Sequence, residues 1–206
     1  MVSTLSRQTG FLLSQRARAQ SPWPGRAVKL VDGTGLSIPD TPEKQAMYPK
    51  SSTQAPGVDF SLARLVVVSC LATGAALDAV IGLHHGKSSG ELDLRSYPLE
   101  GFRPGDVMLA DALYCNYFLI AKLVAKGVDV LFEQKGSRIT DFRRGQSLGA
   151  RDHIVSWPKP TTCPQWMTPE QYAHAPQELR LREVKVAHQV LVTTVPLPTG
   201  SLYATG

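Results

Sequence analysis

The chain predicts an α/β fold built on a mixed sheet, with a β-rich segment inserted after the βα units. Three observations carry this. Between Ala27 and Phe132 the apolar stretches fall in the order strand, two-strand hairpin, helix, strand, helix, strand. Two of those strands run directly into an aspartate, Asp32 in one and Asp111 in the other. Beyond Gln134 the βα rhythm gives way to arginines, prolines and short alternating segments.

Taken in order, residues 4–19 read as a helix, ended by Pro22-Trp23-Pro24-Gly25. No acid precedes Asp32, whereas Arg7, Arg16, Arg18, Arg26 and Lys29 do. That composition suits a transit peptide or the remnant of an upstream helical region. Residues 27–31 form an apolar strand ending at Asp32, and Gly33-Thr34-Gly35 reads as a turn. The turn lacks GxxxxGK[ST], so it does not cradle a nucleotide. Residues 37–57 are polar and Pro-rich, a long loop. Strands at 63–70 and 77–83, joined through Ala72-Thr73-Gly74, make an antiparallel hairpin.

Residues 88–99 read as a helix with Ser88 or Ser89 near its N-cap and Glu91 in its first turn. A buried strand at 106–110 then leads into Asp111 and a second helix. Leu113, Phe118, Leu119, Leu123 and Val124 give that helix its apolar face, and Gly127 ends it. Residues 128–132 make the next strand. A hairpin-first sheet followed by βαβ crossovers is the ribonuclease H-like pattern. Its first and fourth strands lie side by side and parallel, so Asp32 and Asp111 should meet at the carboxyl edge, where ligands bind. The plain alternative for Asp111 is a helix N-cap.

The segment after Gln134 carries Arg138, Arg143, Arg144 and Arg151, interrupted by Pro158, Pro160, Pro164 and Pro169. Residues 178–186 and 189–195 alternate like paired strands around Ala187-His188. The four arginines, with Trp157 nearby, could grip phosphates and stack a base; a solvated loop is the bland alternative.

A length of 206 residues supports one good core or two small ones, and 43% hydrophobic with 19% charged residues is ordinary for a globular protein. No apolar run approaches the roughly 20 residues that span a bilayer, so no membrane partner is expected. Cys70, Cys115 and Cys163 are widely spaced without a CxxC, which suits reduced, buried thiols and a cytoplasmic location, and argues against zinc. The net charge of +5 and pI near 9.2 favour an anionic partner, nucleic acid first. Neither GxSxG nor HExxH occurs, so hydrolase triads and zincin chemistry lack support. His84, His85, His153 and His188 have no partner at ligand spacing.

Two carboxylates on neighbouring strand ends suit Mg²⁺ or Mn²⁺, hard cations that take oxygen ligands and relieve carboxylate repulsion. Such a pair can assist an in-line phosphoryl displacement.

Val31-Asp32-Gly33-Thr34, Ile38-Pro39-Asp40-Thr41-Pro42, Gln54-Ala55-Pro56-Gly57, Gly105-Asp106-Val107-Met108-Leu109-Ala110-Asp111 with Tyr114-Cys115, and Gly127-Val128-Asp129-Val130 together resemble the DDE transposases of bacterial insertion sequences, in the insertion-sequence-four type. The resemblance implies metal-dependent DNA cleavage and strand transfer, with Asp32 and Asp111 as catalytic metal ligands. It implies Mg²⁺ or Mn²⁺ as cofactor and double-stranded DNA, both transposon ends and target, as partner, with a homodimer as one assembly. The family's third acid is a Glu within a Tyr–Arg–Glu–Lys signature beyond the β insertion, and none is found here; Glu170, Glu178 and Glu183 precede its place. The chain therefore reads as a fragment, inactive alone. Residues 1–25 would be an upstream remnant, 26–136 a partial catalytic core and 137–206 the insertion. Alternatives are a non-catalytic DNA-binding or transposase-inhibiting remnant, and a nuclease recruiting Glu91 as third acid.

Overall fold

The structure, a computed structural model, describes residues 2–17, 23, 25–39, 41–48, 60–83 and 99–195. The strands are β1 (Val28–Ile38), β2 (Ser61–Cys70), β3 (Ala76–Leu83), β4 (Val107–Ala110), β5 (Asp129–Glu133), β6 (Gln146–Gly149), β7 (Asp152–Pro158), β8 (Glu178–Val186) and β9 (Gln189–Thr193). All nine join one sheet in the order β3-β2-β1-β4-β5-β9-β8-β7-β6. β1 with β4 and β4 with β5 are parallel; every other neighbouring pair is antiparallel. The result is a mixed α/β architecture around a large mixed sheet.

The first and fourth strands are adjacent and parallel, as the element order requires. The hairpin of β2 and β3 lies where the turn at Ala72-Thr73-Gly74 puts it. The helix expected at 88–99 falls, apart from Leu99, outside the described residues, as do His84, His85 and Glu91.

Three local expectations change. Gly33-Thr34-Gly35 is not a turn: these residues continue β1 and pair with Val66, Leu65 and Arg64 of β2. The long β2 ladder satisfies their backbone groups, which local glycine content could not foresee. The loop after Ile38 contains a short helix, α2 (Pro42–Met47), because Thr41 caps it and Pro42 suits its first turn. It buries nothing, so it has no apolar period to read. Finally, the helix after Asp111 starts later than its apolar pattern suggests. Residues Asp111 to Cys115 form consecutive turns, with Tyr114 N–H on Asp111 C=O at 3.2 Å and Cys115 N–H on Ala112 C=O at 3.3 Å. Asn116 is the true cap of α3 (Tyr117–Ala125), its Oδ1 accepting from Phe118 and Leu119 N–H at 3.0 and 3.4 Å.

α3 covers one face of the sheet. Phe118, Leu119, Ile120 and Leu123 are buried with Met108 of β4 and Val130 and Phe132 of β5. Each such side chain contributes about 1.5–3 kcal/mol by leaving water. α1 (Val2–Ala17) packs at the β3 end, where Arg7 Nε donates to Asp78 at 2.8 Å. The segment after Gln134 contributes α4 (Pro169–His174), begun by a capping box of Thr168 and Gln171. Among the described residues no helix is long and apolar enough to cross a membrane.

The opposite face is less covered. Register puts Leu30, Leu109 and Leu131 in one row across β1, β4 and β5, with Thr34, Leu65 and Ile81 forming another row on the same face across β1, β2 and β3. Leu30 is 36% exposed and Ile81 53%, whereas Val31, Met108 and Val130 on the α3 side are buried.

Candidate functional site

Asp32 and Asp111 belong to the two central parallel strands. The last β1–β4 register pair is Leu30 with Leu109. Each aspartate lies two residues beyond its member of that pair, so both acids leave the sheet at the same level and on the same, less covered face. Asp32 sits within the longer β1 rather than at its end, but at the point where β1 has outrun β4.

Both side chains are exposed. Asp32 Oδ1 accepts from Gly33 N–H at 2.8 Å, and Asp111 Oδ1 from Leu113 N–H at 2.8 Å. Asp111 closes an Asx turn, and the cap of α3 is Asn116. Each bond engages one oxygen of its carboxylate. Among the described residues no hydrogen bond or ion pair occupies either Oδ2. Hard, solvent-open oxygens of this kind fit Mg²⁺ or Mn²⁺. They are two donors only: among the described residues no three His, Cys, Asp or Glu side chains gather as a metal-holding set.

Behind the acids stands Tyr114, 2% exposed. Its pKa is pushed up to about 12, first by burial and then by the charges of Asp111 and Asp32, with Arg64 opposing. One phenol therefore feels both carboxylates. The neighbouring thiol of Cys115 is pushed up to about 11 by burial, which leaves it an inert packing group.

The arginines scatter into different roles. Arg138 lies over Trp157, its Cζ 3.6 Å from the ring centre, with Nε 3.7 Å from Glu183. Trp157 is only 4% exposed and donates Nε1–H to Glu183 Oε1 at 2.7 Å, so it is not a platform for a base. The tryptophan is buried because β7 pairs it inward against Leu179 of β8. The Arg143 guanidinium makes two bonds to Asp141, at 2.8 and 3.1 Å, and its backbone N–H a third at 3.2 Å, while Arg144 lies 3.5 Å from the same carboxylate. Those contacts, Arg143's hydrogen bonds foremost, bring Asp141 down to about 2. Arg143, Arg144 and Arg151 are nonetheless exposed, and so is Arg138, although it is engaged with Trp157 and Glu183.

His153 is partnered after all. β7 pairs it opposite Glu183, and its Nε2 lies 2.9 Å from Glu183 Oε2. Its Nδ1 must donate to Arg144 C=O at 2.7 Å, because a carbonyl only accepts. The His–Glu contact then shares one further proton, whichever partner carries it. Sequence spacing could not reveal a pair 30 residues apart; the hairpin register does. Also absent from the sequence reading is a groove of about 580 Å³ between α3 and α4, lined by Phe118, Ala121, Trp166, Met167, Gln171 and Ala175.

No family model matches the chain, and no curated protein matches it. Among solved structures it is similar to the piggyBac transposase in its synaptic complex with hairpin DNA, at 12% identity and a TM-score of 0.44. The match covers 81% of this chain and 32% of that one, so the chain spans about a third of that transposase's length.

Proposed function

We propose that this chain carries a ribonuclease H-like part of a DDE transposase of the insertion-sequence-four type, with residues 26–136 as the partial catalytic core and 137–206 as its β-rich insertion. Asp32 and Asp111 would hold Mg²⁺ or Mn²⁺, and the partner would be double-stranded DNA at transposon ends and target. The observation carrying this reading is the parallel register of β1 and β4, which brings two acids distant in sequence to one level of the sheet. When bound, the cation supplies Lewis-acid stabilisation of the oxygens of an in-line phosphoryl displacement. The chain's own part is to present two carboxylates, each steadied through its Oδ1 by the Gly33 or Leu113 N–H, on an open face that DNA would reach. Two ligands make a weak site, so the isolated chain should bind metal better than it cleaves DNA.

Calorimetric titration with Mn²⁺ tests this. Binding heat should disappear in Asp32→Asn and in Asp111→Asn. A titration that Asp111→Asn leaves unchanged would reject the site.

A second reading, a non-catalytic DNA-binding remnant able to inhibit an intact transposase, is favoured by the exposed Arg143, Arg144 and Arg151. It calls for chelator-insensitive DNA binding with a steep salt dependence, and a slope falling by about one unit for each phosphate-contacting arginine removed.

A further inference from the structure

We propose that Arg180 is a phosphate-binding residue for the DNA that reaches Asp32 and Asp111, so that the DNA backbone runs along the outer face of β8 and not against the arginine-rich segment 138–144. The inference deepens the DNA reading proposed above and rests on it. Strand register carries it. Leu109 of β4 pairs with Leu131 of β5, Leu131 with Thr193 of β9, and Thr193 with Arg182 of β8. Paired residues point to one face of a sheet, as do residues two apart on a strand. Arg182 and Arg180 therefore share the face of Leu30 and Leu109, the face on which Asp32 and Asp111 leave the sheet. The alternation of β8 agrees: Leu179 and Leu181 are buried in the core beside α3, and Arg180 between them is exposed.

The segment 138–144 is fastened to the other face. Arg138 lies over Trp157, the Phe142 and His153 rings are centred 4.9 Å apart, and His153 Nδ1 donates to Arg144 C=O at 2.7 Å. Trp157 and His153 belong to the α3 side, because β7 pairs them with Leu179 and Glu183. Charge separates Arg180 from its neighbours as well. Arg182 Nε donates to Asp152 at 2.7 Å, and Arg143 and Arg144 share Asp141. Arg180 Nη2 donates at 3.0 Å to Gln146 Oε1, a neutral acceptor, and among the described residues no acid pairs with it. Glu178, two residues earlier, accepts instead from the Ser156 hydroxyl at 2.7 Å. The planar fork of Arg180 thus keeps its charge for an outside anion, and it suits phosphate oxygens. Three strand spacings and four residues separate it from Asp111, about 20 Å, less than one turn of duplex at about 34 Å. A cation at that reach anchors a backbone that two carboxylates alone would repel.

The test uses the full chain and a fluorescently labelled duplex of about two helical turns, with anisotropy read across a salt series. Arg180→Gln should keep the circular dichroism and the Mn²⁺ binding heat of the wild type. It should weaken duplex binding and lower the slope of log K against log salt by about one. Arg180→Lys, which keeps the charge and loses the fork, should restore the slope and only part of the affinity. Gln146→Glu, which gives Arg180 a carboxylate at its existing contact, should act like Arg180→Gln. Arg143→Gln with Arg144→Gln should leave the slope unchanged. An unchanged slope in Arg180→Gln overturns the proposal, and a slope lost in the Arg143 and Arg144 variant instead would put the duplex on the helix-covered side. Both of those outcomes spare the carboxylate site, whose own failure shows as Mn²⁺ heat retained in Asp111→Asn. A wild-type chain that leaves the duplex unbound at low salt overturns the DNA reading and this inference together. Should Arg180→Gln not fold, Gln146→Glu decides, and an unchanged slope there overturns the proposal.

Discussion

Lys29 occupies a position where a strand of a buried sheet would ordinarily carry an aliphatic side chain. It is 4% exposed, and its Nζ donates to Asp106 Oδ2 and to Gly101 C=O, both at 2.6 Å. Asp106, fully buried, also accepts from Arg103 N–H at 2.8 Å. The attraction roughly offsets desolvation while the pair is whole; removing one member strands the other charge in the core. Lys29→Ala should cost about 3–5 kcal/mol, read as a lower denaturant midpoint. A loss under 1 kcal/mol would mean that water reaches Asp106. This pair was invisible in the sequence, because Lys29 looked like one more cation of a basic N-terminal stretch and Asp106 like a strand boundary. Asp32 and Asp111 were legible for the opposite reason: each follows an apolar run, and the order of the runs fixes which two become neighbours. The burial of Trp157 beneath Arg138 was not legible either, since strand alternation at 152–158 was hidden among prolines and arginines.

At the scale of elements, each described strand before Gln134 was legible in its apolar core, though not in where it stops. Boundaries depended on neighbours that lie far along the chain. β1 runs to Ile38 because β2 is long enough to pair with it, although Gly33 and Gly35 argue for a break. α3 begins at Tyr117, capped by Asn116, because the residues from Asp111 to Cys115 are taken up in consecutive turns. Asn116→Ala should cost about 1 kcal/mol in thermal or chemical unfolding by orphaning the Phe118 and Leu119 N–H groups. Asp111→Ala should leave helix content unchanged in circular dichroism, which separates a site residue from a cap.

At the largest scale, among the described residues, the sheet has a helix-covered face and a barer one. Parallel strands usually have both faces covered, yet the row of Leu30, Leu109 and Leu131 is at best half-buried, and Ile81 and Leu83 lie exposed on the edge strand β3. Such surface invites self-association. Ile81→Lys with Leu83→Lys should reduce binding of an apolar dye and shift sedimentation towards monomer, with stability changed by about 0.5 kcal/mol or less per site. Unchanged sedimentation would place any self-contact elsewhere. The mixed sheet itself was legible because connection rules leave few topologies for a hairpin followed by crossovers. The bareness of one face depends on what packs there, which no local pattern encodes.

β5 is hydrogen-bonded on one flank to β4, the strand that leads into Asp111, and on the other to β9, which returns from the segment after Gln134. That segment is thus welded edge-on to the strands that carry Asp32 and Asp111 instead of dangling from a tether. Leverage applied to it would be transmitted sideways through two adjoining ladders to Asp111.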